Sequence, residues 1–189
     1  MSERERILID VNPFFPLALN VAKYLELSNW DVYLSPTDYY TGPQFMQTFA
    51  KKYNFKVLGS FNKVEIPPID MDNLAIKRMA AIFREVHMPK NSIDQKIRDE
   101  YSQICAGILE NRINYVLVQN GAQSIIEYVA KKLKLKIYYM ENGYFPKTLQ
   151  VDSRGVNIDA SFADMDYEEF LDYSVPKNSS IKKITSFSV

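Results

Sequence analysis

Residues 139 to 157 read YMENGYFPKTLQVDSRGVN and gather groups able to do chemistry directly behind an apolar, strand-like run. Glu141 stands where an open sheet presents its catalytic or binding side chains. A carboxylate there can act as a base, an electrostatic stabiliser or an acceptor for a hydroxyl. Asn142, Gly143 and Tyr144 follow it and offer an amide, a turn and a phenol to a ligand. Asp152 and Arg154 are close enough in sequence to pair and brace the loop. Gly155 can supply an unusual backbone conformation, and Asn157 can cross-link backbone groups. A self-bracing loop is the competing reading for Asp152, Arg154 and Asn157, and for Glu141 as well. Glu141 remains the best candidate for catalysis.

A second strand end carries the same punctuation, QNGAQS. Gly121, preceded by Asn120, lets the chain turn sharply into a helix whose first amides attract phosphate or carboxylate. Gln123 and Ser124 can add hydrogen bonds, although Asn-Gly can equally do no more than make the turn while Ser124 caps the helix. In open parallel sheets, ligands bind beyond the carboxyl ends of the strands, so both strand ends can serve one cleft. The aromatics of NPFF and DYYTGP follow the first two strands and can stack on a sugar there; core packing competes for Phe14 and Phe15.

Other chemistry-bearing residues point to scaffold. His87 is the chain's one histidine and has no ligand spacing around it, so no metal is expected. Cys105 lies within an amphipathic helix and reads as a small core residue. Lys131, Lys132, Lys134 and Lys136 read as a solvated helix end, with contact to anionic lipid as the other reading. The chain has neither a GxGxxG after its first strand nor a GxxxxGK[ST], so no dinucleotide or P-loop cofactor is expected.

The elements that must position these groups alternate along the chain. RILIDV, WDVYLSP, FKVLGSF, NYVLVQNG and KIYYMENG read as strands. Between them PLALNVAKYLEL, QFMQTFAKKY, DMDNLAIKRMAAIFREVHM, SIDQKIRDEYSQICAGILENR and AQSIIEYVAKKLKL have helical spacing. Pro16 suits a first helical turn. Leu74, Met79, Ile82 and Phe83 fall near one helix face. Ile93, Ile97, Ile104, Ile108 and Leu109 form the stripe of the next, which Ser92 can cap. The pattern predicts an α/β, Rossmann-like open sheet, mainly parallel, with helices on both faces. It occupies residues 1–160; residues 161–189 read as a short acidic helix and a polar tail.

The 189 residues suit one such domain, and a hydrophobic fraction of 47% supplies a substantial core. Twenty-three basic and 23 acidic residues balance, which argues against a generally basic nucleic-acid binder. A single cysteine, no signal-peptide pattern and no apolar run of about 20 residues predict a cytoplasmic chain without a transmembrane segment.

The run VLVQNGAQSIIEYVAKKLKLKIYYMENGYFPKTLQVDSRGVN resembles the capsular polysaccharide biosynthesis and export proteins, a family that includes bacterial Kdo transferases. The matching elements are Asn-Gly before a helix, ENGYFP after the next strand, and D-x-x-G-V-N beyond it. The resemblance implies one Rossmann-like half of a two-domain (GT-B) glycosyltransferase of surface-glycan synthesis. It further implies a nucleotide-sugar donor, a glycan or glycolipid acceptor, and work at the inner face of the membrane. Glu141, Asn142, Gly143, Asp152, Gly155 and Asn157 would then line or shape the cleft. Some relatives carry an acidic residue where this chain has Asn142. No stretch after Asn157 is long enough for a second α/β domain, so a truncated member, or an acceptor-side half with a second polypeptide supplying the donor domain, is one expectation. A non-catalytic glycan- or partner-binding module is the other.

Overall fold

A computed structural model describes residues 4–10, 15–35, 50–52, 55–59, 64–85, 89–119, 125–142, 149–155 and 160. Its strands are β1 (Arg6–Ile9), β2 (Asp31–Leu34), β3 (Lys56–Val57), β4 (Tyr115–Gln119), β5 (Lys136–Asn142) and β6 (Leu149–Asp152). Its helices are α1 (Phe15–Leu27), α2 (Leu74–Glu85), α3 (Lys90–Glu110) and α4 (Ile125–Lys132). The strands form one sheet in the order β3-β2-β1-β4-β5-β6. All neighbours are parallel except β5 and β6, which run antiparallel. This is a Rossmann-like α/β sheet. From β1 the chain winds outward first through β2 and β3, then starts again at β4 and winds the other way.

Side chains alternate across each strand, so the sheet has two buried faces. Ile7, Ile9, Val32, Leu34, Leu117 and Met140 pack with Ala18 and Ala22 of α1 on one. Leu8, Tyr33, Val116, Val118 and Tyr139 pack on the other, against α2, α3 and α4. Right-handed crossovers leading in opposite directions from the centre of the sheet put their helices on opposite faces. Strands covered on both sides lose the inside–outside alternation and become apolar runs, as YVLV and RILI are.

The α3 stripe is nearly as expected. Ile93, Ile97, Ile104 and Ile108 are buried, joined by Tyr101 and Cys105, whereas Leu109 is exposed at the helix's end. Ser92 does not cap α3. The helix begins three residues earlier, with Pro89 in extended conformation at the cap position and no side-chain cap bond. Proline donates no amide and its fixed φ suits a helix entrance, so it displaces the start upstream. Among the described side chains of α2, Ile76, Met79 and Ala80 are buried, while Leu74 is 61% exposed; those of Ile82 and Phe83 lie outside the described residues. Asn73 Oδ1 accepts the Ala75 amide at 2.9 Å, an N-cap bond that fixes the helix one residue before Leu74.

Two tyrosines tie the segment before α2 to the helical layer. The Tyr101 hydroxyl donates to Pro67 O at 2.6 Å, and the Asp70 amide donates to the Tyr128 hydroxyl at 3.1 Å. Burial pushes the Tyr101 phenol well above its usual range, and burial likewise raises the Cys105 thiol. Both stay protonated and serve packing.

The two edges of the sheet differ. Three helix-to-strand turns close the amino edge with one motif. Trp30, Ile113 and Leu135 donate their amides five residues back, to Leu25, Ile108 and Ala130. The residues just before them, Asn29, Arg112 and Lys134, carry φ of 69°, 49° and 56°. These are Schellman-type helix ends. Arg4, Arg6 and Lys56 gather within 4.0 Å of the Asp31 carboxylate at the same edge.

Candidate functional site

The carboxyl edge carries the buried polar groups. Among the described residues Asp10, Ser35, Gln119 and Glu127 are the buried polar or charged side chains. Three of them end neighbouring parallel strands: Asp10 follows β1, Ser35 follows β2, and Gln119 closes β4. A hydroxyl or carboxylate in an apolar interior costs free energy unless it is compensated, so such groups gather where the interior opens onto a binding crevice.

Their geometry follows from the ladder. The Asp10 amide donates to Leu117 O at 2.9 Å and the Ser35 amide to Ile9 O at 3.0 Å, so both residues prolong their strands. Asp10 shares the face of Leu8, and Ser35 that of Tyr33. The two side chains therefore stand side by side above the α2–α4 layer, with Leu58 beyond Ser35 and Val118 beyond Asp10. Gln119 keeps the parity of Leu117 and faces α1. Asp10 is only 4% exposed. The Asp10–Gln119 region lies between β1 and β4, where the winding reverses; in doubly wound sheets this is the crevice that takes ligands.

Glu141 belongs to the neighbouring strand end. It is the penultimate residue of β5, half-buried, and directly opposite Gln150 of β6. Directly opposed residues of an antiparallel pair bring their side chains together on one face. Gln150 Nε2 is buried without a hydrogen-bond partner among the described residues, an unmet donor beside the Glu141 carboxylate's strand. By parity Glu141 shares the face of Tyr139, hence that of Asp10 and Ser35.

The stretch expected as a loop is instead the edge strand β6 followed by a tight turn. Asp152 Oδ1 accepts the Arg154 amide at 2.7 Å and the Gly155 amide at 3.4 Å. The bracing thus runs from carboxylate to backbone, an Asx-type turn that ends the strand. Gly155 is buried; Arg154 is exposed.

Gly121 and Gly143 lie outside the described residues, as do Asn120, Gln123, Ser124, Tyr144, Asn157, Phe14, His87 and the segment 161–189. The strands that lead to the two glycines are parallel neighbours, with Gln119 beside Met140. Asp10, Ser35, Gln119 and Gln150 were not singled out by sequence reasoning. Asp10 and Ser35 had a signal: each is a polar residue at the end of an apolar run, immediately before turn-forming residues.

Behind the edge, Glu127 of α4 joins Tyr139 of β5. The Tyr139 hydroxyl donates to Glu127 Oε1 at 2.9 Å, and Lys131 Nζ lies 2.6 Å from the same oxygen. The hydrogen bond to Glu127 raises the Lys131 pKa; burial, then the Glu127 charge, raises that of Tyr139. This network holds the α4 first turn against β5, two residues before Glu141.

Among the described residues no cluster of His, Cys, Asp and Glu could hold a metal ion, and no helix is long and apolar enough to cross a membrane. Comparison with models of known protein families and with curated proteins finds no match.

Proposed function

We propose that the chain is a glycosyltransferase-like protein of bacterial surface-polysaccharide synthesis and holds a sugar-bearing ligand at the carboxyl edge of its sheet. The observation that carries this reading is the alignment of Asp10, Ser35 and Glu141 on one face of three strand ends around the winding reversal. Short polar side chains on rigid strands suit sugar hydroxyls, which need donors and acceptors at fixed positions. The ENGYFP and D-x-x-G-V-N resemblance supports a glycan as the ligand class. Glu141 is the candidate for acid/base or electrostatic work, with Asn142, Gly143 and Tyr144 as its ligand-binding neighbours. In this reading the domain is the acceptor side of a GT-B-like pair and works with a nucleotide-sugar-binding domain.

Transfer requires donor and acceptor to be aligned with water excluded, which takes closure of two halves. Calorimetry with acceptor glycans and nucleotide sugars, run beside a mass-spectrometric product assay, tests the proposal. Acceptor binding that weakens in Asp10→Asn supports it. Transfer by the isolated chain, lost in Glu141→Gln, would make it a complete transferase. Absence of glycan binding would overturn it. The second reading, a non-catalytic glycan-binding module, predicts binding that Glu141→Gln leaves intact and no product with any partner.

A further inference from the structure

We infer that Gln150 is a further ligand-binding residue of the carboxyl edge and that, with Glu141, it holds one hydroxyl of an uncharged sugar unit; this rests on the glycan reading above. The strand β6 carries the first observation. Its sequence, LQVD, alternates apolar and polar residues, but the apolar ones face outward. Leu149 is 40% exposed and Val151 50%, whereas Gln150 and Asp152 are half-buried. A slip of one residue would exchange the two faces, burying the apolar pair and releasing the amide to water. The register instead sets Glu141 against Gln150 and Met140 against Val151. Apolar burial does not account for it, and such breaches of a local rule are expected at functional sites.

Asp152 explains half of the inversion, because its carboxylate accepts the Arg154 and Gly155 amides and closes the turn. Gln150 has no comparable task. Its Nε2 is buried and has no hydrogen-bond partner among the described residues. An unmet buried donor costs the free protein stability, so its retention calls for a partner that arrives with a ligand.

The position of Gln150 defines that partner. Directly opposed residues of an antiparallel pair stand side by side on one face, which puts the Gln150 amide next to the Glu141 carboxylate. The carboxylate accepts hydrogen bonds and Nε2 donates them. A hydroxyl answers both with a single oxygen: its O–H donates to Glu141 while a lone pair accepts from Gln150. A carboxylate or phosphate group would take the Gln150 bond but meet the charge of Glu141. The pair therefore selects a neutral hydroxyl, and Gln150 fixes the direction in which that hydroxyl presents its proton to Glu141.

The test titrates the purified chain with lactose, maltotriose, chitobiose and digalacturonate while NMR follows the side-chain amide signals of Gln150. Binding of at least one neutral sugar that shifts those signals is expected, with no such shift from digalacturonate. Gln150→Met keeps the side chain's length and removes the donor. It should weaken neutral-glycan binding on the order of tenfold and melt no lower than the parent. Combined with Glu141→Gln, it should lose less than the sum of the single losses, because both residues hold one oxygen. A neutral glycan whose binding Asp10→Asn weakens but Gln150→Met leaves unchanged would overturn the inference and leave the glycan site standing. Additive losses, or a digalacturonate shift as large as that of the neutral sugars, would overturn it too. A Gln150→Met protein that melts well below the parent would assign the amide to the scaffold, with the same result. If none of the four sugars binds the parent, the glycan reading itself falls and takes this inference with it.

Discussion

Tyr139 and Glu127 share a buried hydrogen bond of 2.9 Å that joins β5 to α4 behind the candidate site. The bond makes the position of β5 depend on a polar contact within a largely apolar layer. Tyr139→Phe removes the donor but leaves Lys131 on the carboxylate, so a loss of about 1 kcal/mol is expected. Glu127→Ala strands the buried phenol and costs more, about 1–3 kcal/mol. Urea unfolding of the two variants checks the order.

The same cluster sets a pH dependence. Tyr139 and Lys131 both hold their protons more tightly when folded. Their contribution is therefore complete below the ordinary Tyr and Lys values near pH 10, and it fades as pH rises through the raised folded values. Lys131 is mostly exposed, so solvent screens its share and Tyr139 carries most of the effect. Unfolding midpoints measured from pH 8 to pH 11 should fall at the alkaline end, and less steeply in Tyr139→Phe.

Gly107 gives a packing prediction. A Cβ added there would lie 2.7 Å from Leu58 Cγ and 3.1 Å from both its methyls. Leu58 is fully buried and cannot swing into solvent. Overpacking of about 1–3 kcal/mol outweighs the helical advantage of alanine, about 1 kcal/mol. Gly107→Ala should destabilise, and Leu58→Ala should relieve part of that loss in the double variant. A thermodynamic cycle of the four proteins measures the coupling; simple additivity would refute the contact.

At the amino edge the expected sign is opposite. Lys134 occupies a left-handed conformation that glycine adopts without steric cost. Lys134→Gly should stabilise by up to about 1 kcal/mol, read as a raised unfolding midpoint.

Much of this architecture was legible because helices and doubly covered strands leave strong periodicities. YVLVQ and KIYYM are apolar runs, and the α3 isoleucines recur at helical spacing. The edge strand β6 was not legible. LQVD carries only two apolar residues, Leu149 and Val151, and both are exposed on a strand paired on one side. Its pairing depends on the chain reversing after β5, a tertiary event without a local signature. The conspicuous ENGYFP stretch drew attention to Glu141. Asp10 and Ser35 were absorbed into strand runs, because a polar residue at a strand's end reads as its boundary until the ladder shows three such ends side by side.

The face that Asp10 and Ser35 share with Glu141, one strand beyond β4, gives the last prediction. If the strand ends form one binding surface, changes at Asp10 and Glu141 should affect ligand affinity more than stability. Hydrogen bonds from sugar hydroxyls to a carboxylate are worth about 1.5–3 kcal/mol, roughly ten- to a hundredfold in affinity. Asp10→Asn keeps the shape but removes the charge, so it should weaken glycan binding by that factor. Glu141 is half-buried at the end of its strand, and Glu141→Gln should leave the melting midpoint close to that of the parent. Asp152→Ala should do the reverse. It deletes the acceptor of the 2.7 Å turn bond and should cost about 1 kcal/mol of stability with little change in affinity. Calorimetric titration and thermal melts on the same three preparations separate the roles. A Glu141→Gln protein that melts early yet binds as well as the parent would assign that residue to the scaffold and leave Asp10 and Ser35 as the site.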